Sequence, residues 1–301
     1  MVNLADIKGY SNWSNIKPIT LGWSNDLKYK VLIGEDYYIL RLSDIKYYEH
    51  KKREYEMLQQ INSLNLNITR PVDFGVCNNN QHVYLLLTWL KGNDAEQELP
   101  KLSKKKQYDL GVKAGENISK IHSLKPTFSY MPWHERFNKK IDKKIKSYLN
   151  CSVKFNYEKE FLNYIEQNRH LLQNRPTRLL HGDFHVGNMI INEKEQLGII
   201  DFNRQDIGDP WEDFNRMPFS VRTSQAFSVG MLNGYFNNSV PIEFFSLFCL
   251  YLVNNAISSI PWSIPFGKKE VAVAFRNIEA IYSSYQGFAT RVPQWYSQYQ
   301  E

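Results

Sequence analysis

The stretch that decides the fold is Arg178-Leu-Leu-His-Gly-Asp-Phe-His-Val-Gly-Asn-Met-Ile-Ile-Asn192, which continues after a polar turn as Leu197-Gly-Ile-Ile-Asp-Phe202. A short apolar run leads into a polar loop, and two further apolar runs follow it. Two apolar runs joined by a polar turn predict a β-hairpin. At the usual strand rise each run extends about 13 Å, so the hairpin should return Asp201 to the side of Asn188. Because Asp183 lies in the loop that leads into the hairpin, we expect two carboxylates and an amide to meet at one edge of a small sheet.

The spacing of these polar residues is specific. The pattern His181-x-Asp183-x-x-x-x-Asn188, followed by Asp201, resembles the catalytic and metal-binding segments of the aminoglycoside phosphotransferase family. That family is a branch of the protein-kinase-like superfamily, which also includes choline kinases and macrolide phosphotransferases. Protein kinases carry His-Arg-Asp, an Asn five positions after the Asp, and then Asp-Phe-Gly. Gly182 stands here in place of the Arg, as in the small-molecule kinases.

The residues that follow Asp201 extend the resemblance. Asn203 stands where protein kinases have the Gly of Asp-Phe-Gly, and Asp209-Pro-Trp-Glu-Asp213 is similar to an Asp-Pro-x-x-Asp segment of the family. Its two aspartates are expected to hold the catalytic loop and to cap the next helix. The resemblance implies a bilobal α+β fold of the protein-kinase type. Residues 1–91 would form a small antiparallel β lobe that binds nucleotide, and residues 92–301 a larger, mostly helical lobe that carries the hairpin and binds the acceptor.

The resemblance also implies a reaction, namely transfer of the γ-phosphate of ATP or GTP to a hydroxyl group of a small molecule with Mg²⁺ as cofactor. Asp183 would accept or orient the proton of the attacking hydroxyl. His181 belongs to the same catalytic set, where it would shape the loop by hydrogen bonding to the backbone or to Asp201. Asn188 and Asp201 would bind Mg²⁺ through oxygen atoms, the ligand type that this ion prefers.

The beginning of the chain predicts a short strand from Ile19 that runs into a Gly/Ser/Asn turn ending at Asn25, and two further antiparallel strands at Tyr29–Ile33 and Tyr37–Leu42. In a kinase-like small lobe, the first turn would cover the nucleotide phosphates. Backbone N–H groups there, together with the Ser24 and Asn25 side chains, are candidate phosphate ligands. The segment lacks the Gly-x-Gly-x-x-Gly pattern, so its assignment depends on the downstream motif.

A basic residue on the third strand is expected to bind the α- and β-phosphates, because protein kinases place a Lys there and pair it with a Glu of the next helix. By order along the chain this residue is Arg41, which keeps the charge and can bind phosphate bidentately. Glu54 is its best candidate partner, with Glu49 and Glu56 as alternatives on the same predicted helix. An ordinary surface arginine, with Lys46 or another base in its place, is the competing interpretation.

The next apolar strand ends at the expected hinge between the two lobes. Val83–Thr88 is a buried strand by composition, and Trp89-Leu-Lys-Gly92 follows it. In the family, backbone groups of this hinge contact adenine, which makes Thr88, Trp89 and Leu90 candidate nucleotide contacts.

Composition and charge indicate the class of protein, its partners and its cellular compartment. Hydrophobic residues make up 43% and aromatic residues 14% of 301 residues, enough to fill a sizeable core. The net charge of +6 comes mainly from lysine runs on predicted helix faces, so neither nucleic acid nor a membrane is expected as a partner. Three widely spaced cysteines without a CxxC motif favour a reducing, cytoplasmic setting. The apolar run at Phe244–Val253 is too short to cross a bilayer and predicts a buried helix.

Two alternative functions compete with the kinase hypothesis. His181, Asp183 and His185 alternate in a way that is compatible with a zinc hydrolase, but this leaves Asn188 and Asp201 unexplained. A catalytically silent nucleotide-binding protein of the same fold is the other, and the complete set of acidic and amide residues speaks against it.

The acceptor is not specified by these motifs. From Phe214 to Glu301 the chain contains four acidic and six basic residues among many aromatic ones. A polycationic aminoglycoside requires an acidic pocket, so this region fits an apolar or singly charged acceptor, such as a macrolide, a choline-like amine or a sugar, at least as well. Aminoglycoside phosphotransferase therefore serves here as a family name, and antibiotic modification is one of several possible activities.

Overall fold

The computed structural model describes residues 2–20, 26–127 and 130–299. In these ranges the β-strands are Trp13–Ile19 (β1), Leu27–Ile33 (β2), Asp36–Asp44 (β3), Pro71–Cys77 (β4), His82–Thr88 (β5), Asn93–Asp94 (β6), Arg178–Leu180 (β7), Met189–Ile191 (β8), Leu197–Ile199 (β9) and Asp206–Gly208 (β10). The α-helices are Tyr48–Asn62 (α1), Ala95–Glu98 (α2), Lys104–Ser123 (α3), Trp133–Leu149 (α4), Glu158–Asn168 (α5), Met217–Thr223 (α6), Gln225–Tyr235 (α7), Ile242–Ser263 (α8), Lys268–Ser284 (α9) and Gln294–Ser297 (α10). Strands are concentrated before residue 95 and helices after it, which confirms the α+β class.

The chain forms two compact units. Unit 1 comprises Met1–Asp94 and Met189–Asn203, and unit 2 comprises Ala95–Asn188 and Arg204–Glu301. The hairpin β8–β9 therefore packs with the N-terminal residues, whereas the sequence-based division at residue 91 assigns it to the helical part.

Unit 1 is built on a five-stranded antiparallel sheet with the order β1-β2-β3-β5-β4. Its core contains Val31, Leu40, Leu42, Tyr84 and Leu86, all at most 5% exposed. Helix α1 packs on β4 and β5 through buried apolar side chains. The sheet holds the middle of β3 in a fixed register, with Arg41 paired to Lys28 on one side and to Leu85 on the other.

The first strand is the clearest departure from the sequence-based prediction. Strand β1 runs from Trp13 to Ile19 and so ends where the sequence predicts a strand to begin. Residues 21–25, on which the rest of that prediction falls, lie outside the described ranges. Its pairing with β2 is interrupted by a bulge between Ser14 and Lys17, and Asn15 has φ of +50°. A bulge breaks the two-residue alternation on which strand prediction depends.

The predicted hairpin is confirmed. Strand β8 pairs with β9 in the register Met189↔Ile199 and Ile191↔Leu197, and β6 pairs along the other edge of β8. The side chains that face the core of unit 1 are almost fully buried. The backbone of Ile199 also bonds to Asn67 and Thr69, which ties the hairpin to the segment before β4.

Unit 2 is a helical bundle around α8, whose residues Phe244–Val253 are nearly all buried, as the sequence predicts. Within the described ranges, only Ile242–Phe266 is long and apolar enough by length and composition to cross a membrane, and 72% of that window is buried inside the protein, as in a core helix. Trp133 of α4 and Asp209 both bond to the hydroxyl of Tyr251 in the middle of α8.

Helices α3 and α7 lie against each other in close backbone contact, which we call the glycine seam, formed by Gly111 and Gly115 of α3 and by Gly230 and Gly234 of α7. A Cβ atom on Gly111 would lie 2.0 Å from the carbonyl oxygen of Phe227, and a Cβ on any of the other three would meet the facing backbone equally closely. Only glycine permits this approach, and the buried hydroxyl of Ser224 bonds across the seam to Gln107.

Candidate active site

The loop after β7 is held in place by one buried carboxylate. Asp213 accepts hydrogen bonds from the backbone N–H groups of His181, at 2.7 Å, and of Gly182, at 2.6 Å. Its Oδ2 also lies 3.0 Å from Nε2 of His122, whose other ring nitrogen bonds to the hydroxyl of Tyr235. Asp213 thus holds the loop, the role expected from the sequence, and His122 is a structural histidine of the core.

A glycine is required inside this loop. Gly182 has φ of +81°, and a Cβ atom there would lie 1.8 Å from the carbonyl oxygen of Arg204. The two segments approach so closely because β7 pairs with β10, with Leu180 opposite Asp206. The side chain that protein kinases carry at this position would collide with the backbone, so the departure at Gly182 has a steric cause.

His181 supports the loop from inside. Its ring is fully buried, accepts a hydrogen bond at Nδ1 from the N–H of Asp183 at 3.2 Å, and packs edge-on against Phe184. A buried imidazole that accepts from the loop backbone orients the neighbouring residue, which is the loop-shaping role that the sequence suggested for His181.

Asp183 is surrounded by positive and polar groups. Nε of Arg216 lies 3.2 Å from its Oδ1, while Nε of Arg204 and Nε2 of His185 lie 3.8 Å and 3.9 Å from its Oδ2. Burial acts to raise the pKa of the Asp183 carboxyl, but the neighbouring His185 ring and the charges of Arg216 and Arg204 hold that pKa well below its usual range. The carboxylate is therefore ionised at neutral pH.

Asn188 is oriented by the loop that precedes it. Its Nδ2 donates to the carbonyl oxygen of Asp183 at 2.8 Å and approaches Oδ2 of the same residue at 3.3 Å. The amide nitrogen is thereby engaged, so the amide oxygen is the atom that remains to bind a cation.

A second ionic group, which we call the buried cluster, lies in unit 1 and consists of Asp26, Arg41, Lys51 and Glu54. Arg41 donates to Glu54 at 2.8 Å and to Asp26 at 2.6 Å, and Lys51 contacts Asp26 at 2.8 Å and Glu54 at 3.2 Å. Burial acts to raise the pKa of the Asp26 carboxyl, but Arg41, Lys51 and Ser43 lower it to about 2. The Arg41–Glu54 pair predicted from the sequence is present.

Asp201, at the end of the hairpin, adjoins the buried cluster. Its Oδ1 lies 3.7 Å from Nη1 of Arg41, and its side chain is 44% exposed. Asp201 has φ of +60°, a left-handed conformation that is uncommon for residues other than glycine. The following Asn203 accepts a 2.5 Å hydrogen bond from Lys51, so the cluster also holds the segment after Asp201.

The hinge residues Thr88, Trp89 and Leu90 are half-buried at the end of β5. The N–H of Thr88 donates to Arg70 and that of Trp89 to Tyr37, so the sheet already uses both donors. A backbone donor to adenine would therefore fall to Leu90. Lys30 lies 4.3 Å from the ring centre of Trp89.

Two sequence-based predictions remain, namely the phosphate contacts of Ser24 and Asn25 and the alternative zinc site. Ser24 and Asn25 lie outside the described residues. Within the described residues no group of three or more His, Cys, Asp or Glu side chains is arranged to hold a metal ion, so the zinc-hydrolase alternative has no support from the geometry.

Comparison with known proteins decides the family. A sequence profile described as the phosphotransferase enzyme family (APH) matches residues 15–244. The chain belongs to this family. A search of curated proteins found no match.

Solved structures of aminoglycoside phosphotransferases share the fold of this family member. The gentamicin complex of APH(2")-IIa is 19% identical with a TM-score of 0.65, and the match covers 93% of this chain and 97% of that one. A thermostable mutant of APH(4)-Ia without ligand is 15% identical with a TM-score of 0.67, covering 93% and 98%. A GDP complex of an aminoglycoside 2'-phosphotransferase-IIIa mutant is 14% identical with a TM-score of 0.65, covering 95% of each chain. This likeness confirms the kinase-like α+β fold.

Four charged residues of this phosphotransferase were missed or left undecided by sequence reasoning. Lys51 and Asp26 were not singled out, although Lys51 precedes Glu54 by three residues, a spacing that places both on one helix face. Arg216 is one of the six basic residues between Phe214 and Glu301, and the sequence alone leaves Arg204, just past Asp201, between a surface ion pair and a contact to phosphate or substrate. The signal for the two arginines is a repeated tripeptide, Phe202-Asn-Arg204 and Phe214-Asn-Arg216.

Proposed function

We propose that this family member transfers the γ-phosphate of ATP or GTP to a hydroxyl group of a small molecule in the cytoplasm. The observation that carries the proposal is the geometry of Asp183, an ionised carboxylate at the tip of a loop that His181 and Asp213 hold rigidly. All three cysteines are free, which supports the reducing compartment.

Asp183 would accept the hydrogen bond of the acceptor hydroxyl and orient its oxygen for in-line attack. Because Arg216, Arg204 and His185 lower its pKa, the carboxylate is a weak base, and we assign it orientation of the hydroxyl before proton removal. Phosphoryl transfer has a loose transition state, for which positioning contributes more than strong basicity.

Asn188 and Asp201 would hold the magnesium ion. Both offer hard oxygen donors, the amide oxygen of Asn188 because its nitrogen is engaged by Asp183 and the carboxylate of Asp201 because it is 44% exposed. When bound, the ion neutralises charge on the phosphates during transfer. The left-handed backbone of Asp201 supports a functional role, since such strain is concentrated at sites of ligand binding.

Arg41 would contact the α- and β-phosphates, with Glu54 as its partner. Two of its nitrogens already donate to Glu54 and Asp26, and its buried Nε donates to no described acceptor. A phosphate oxygen would use the guanidinium N–H groups that these two bonds leave over. Thr88, Trp89 and Leu90 would contact the base, and Ser24 and Asn25 the phosphates.

The acceptor is proposed as a small-molecule alcohol. Proteins of similar fold are named for aminoglycosides, and one was solved with gentamicin, so aminoglycosides belong in any first panel. Choline-like amines, sugars and macrolides are alternatives. A catalytically silent nucleotide-binding protein of this fold is the remaining candidate.

The test is a phosphate-transfer assay with ATP or GTP and Mg²⁺ over that panel, with and without EDTA. Asp183→Ala is expected to lower turnover by about a thousandfold or more while nucleotide affinity changes little, and Asp36→Ala, an exposed acid, serves as the control. Turnover that survives Asp183→Ala would contradict the mechanism. Nucleotide binding without turnover of any acceptor would favour the silent protein.

A further inference from the structure

The repeated tripeptide brings two guanidinium groups to one carboxylate. Phe202–Arg204 and Pro210–Arg216 are both 3-10 helices, and each ends in Phe-Asn-Arg. Phe202 and Phe214 are at most 1% exposed, which anchors each turn, whereas Arg204 is 50% and Arg216 31% exposed. Two separate turns therefore deliver an arginine to Asp183.

Asp183 has more cationic partners than neighbouring carboxylates of unit 2. Asp206 pairs with Arg136 at 2.9 Å, and Glu212 pairs with Lys140 at 3.1 Å. Asp183 is instead shared by two guanidinium groups. Two guanidinium charges therefore flank the carboxylate that the acceptor hydroxyl must reach.

The donors of these two arginines are largely unused. Each directs its Nε toward Asp183, at 3.2 Å for Arg216 and 3.8 Å for Arg204, and among the described residues no hydrogen bond is made by the Nη atoms of either side chain. A guanidinium group with free Nη atoms forms paired hydrogen bonds to a carboxylate or a phosphate. A structural arginine would use these donors for hydrogen bonds within the protein, as Arg175 does with Asp209 at 2.8 Å and 2.9 Å.

A half-buried lysine of unit 2 also experiences the charge of Arg216. Lys144 of α4 donates to Asn255 at 2.8 Å. Burial, with the nearby charges of Lys140 and Arg216, lowers the pKa of Lys144 to about 7, although Glu212 opposes the shift.

We propose that the acceptor is an anionic alcohol, a hydroxyl compound with a carboxylate or phosphate group a few bonds from the reacting oxygen, and that Arg204 and Arg216 bind that group. The proposal rests on the phosphotransferase function proposed above. Asp183 then receives the hydroxyl while the arginines fix the charged end, which defines the orientation of the substrate. A polycationic acceptor would meet repulsion from the same two side chains.

The test uses a set of acceptors that differ mainly in charge: glucose 6-phosphate and 3-phosphoglycerate as anions, glucose and glycerol as neutral partners, and glucosamine and kanamycin as cations. Binding to the full-length protein is measured by calorimetry with Mg²⁺ and saturating ADP, so that the nucleotide phosphate site is filled. Phosphate transfer is measured on the same compounds with ATP.

We expect at least one anionic probe to bind tenfold or more tightly than its neutral partner. Arg216→Gln and Arg204→Gln should each remove about tenfold of that affinity and leave the neutral compounds unchanged, while Arg216→Lys should retain part of it. Arg53→Gln, which removes one exposed positive charge from α1, should behave as wild type. Two variants on separate turns protect the test against misfolding of one of them.

Tighter binding or faster turnover of the neutral or cationic compounds would overturn the proposal, and so would a failure of every anion to bind. A fall in kcat of equal size for all acceptors in both variants, without a change in KM, would assign the arginines to the transferred phosphoryl group and also overturn it. Arginine-dependent binding of anions without any turnover would uphold the anion site and contradict the phosphotransferase function. Turnover of kanamycin that requires Asp183 would uphold the phosphotransferase function and contradict the anion site.

Discussion

The two ionic groups of this molecule differ in charge balance and in exposure. In the buried cluster, Arg41 and Lys51 are balanced by Asp26 and Glu54, and the four side chains are between 0% and 11% exposed. Around Asp183, two half-exposed arginines share one carboxylate, and their Nη atoms are free within the described part of the chain.

The difference bears on whether the loss of one charge affects mainly stability or mainly binding. A closed set of charges satisfies itself, so removing one member leaves a buried charge without a partner and affects stability. An open set keeps donors in reserve for a ligand, so removing one member affects binding and has little effect on folding.

Breaking the buried cluster should have the largest effect. Glu54 is fully buried and bonds to both Arg41 and Lys51, so Glu54→Gln leaves two buried cations with one carboxylate. We expect a loss of about 3 kcal/mol or more in the free energy of unfolding, measured by urea denaturation. Glu56→Gln, an exposed acid on the same helix, should change it by less than about 0.5 kcal/mol. Equal effects of the two variants would show that the cluster is not a closed unit.

The open group depends on backbone that only glycine allows, and Gly182→Ala tests this dependence. Gly182 and Gly34 both have positive φ, but a Cβ on Gly34 meets nothing within 4 Å, whereas one on Gly182 would lie 1.8 Å from the Arg204 carbonyl oxygen. Gly34→Ala should therefore lower the free energy of unfolding by about 1 kcal/mol, because only the strained backbone conformation contributes there. Gly182→Ala should lower the free energy of unfolding by about 2–3 kcal/mol and abolish phosphate transfer. Denaturation and activity measured on both variants separate the two contributions, and equal costs would exclude the close approach.

The pH dependence of the buried cluster is a finer test. Burial acts to raise the pKa of Asp26, but Arg41 and Lys51 lower it from 3.8 to about 2. A carboxyl with a lower pKa in the folded state stabilises the protein above about pH 4, and this contribution disappears as pH falls toward 2. Asp26→Asn should lower the free energy of unfolding by at most about 2 kcal/mol at pH 7. The difference in this free energy between the variant and wild type should shrink as the pH falls below 4. Asp36→Asn, at an exposed site, should show no such convergence.

The smallest effect is expected for removal of an arginine from the open group. Arg216→Gln should change the free energy of unfolding by less than about 0.5 kcal/mol, because the side chain is 31% exposed and shares its partner with Arg204. The same substitution at Arg41, which is 4% exposed, should cost several times more because it leaves Glu54 and Asp26 short of a partner. Similar losses at both positions would remove the distinction between the two groups.

The sequence predicts the local structure of this chain well where signals lie close together. The hairpin follows from two apolar runs and a polar turn. The spacing of Leu110, Ala114, Ile118 and Ile121 predicts a helix over 103–124, and α3 is observed at Lys104–Ser123, with Ser103 accepting a hydrogen bond from Lys106 at its start. The pairing of Arg41 with Glu54 also followed, because the family fixes both the strand and the next helix. Strand β1 was displaced because its bulge hides the alternation.

Tertiary charge pairing was beyond the sequence. Burial of Lys51 depends on Asp26, which is 25 residues away, and nothing local distinguishes it from the exposed Lys52. Arg204 and Arg216 are marked by a repeated tripeptide, yet their convergence on Asp183 depends on the pairing of β7 with β10 and on Gly182. Patterns along the chain showed which residues recur, and the folded structure showed which of them share a partner.

The glycine seam between α3 and α7 has a consequence for hydrogen exchange. Where two helix backbones touch without intervening side chains, a water molecule cannot reach the amides of one helix unless the other moves away. Amide protons of Ala114, Ile118, Val229 and Met231 should therefore exchange only through global unfolding of unit 2. Their exchange rates would report the stability of unit 2, and the exchange rates of amides in the loop that carries Asp183 can be compared with them.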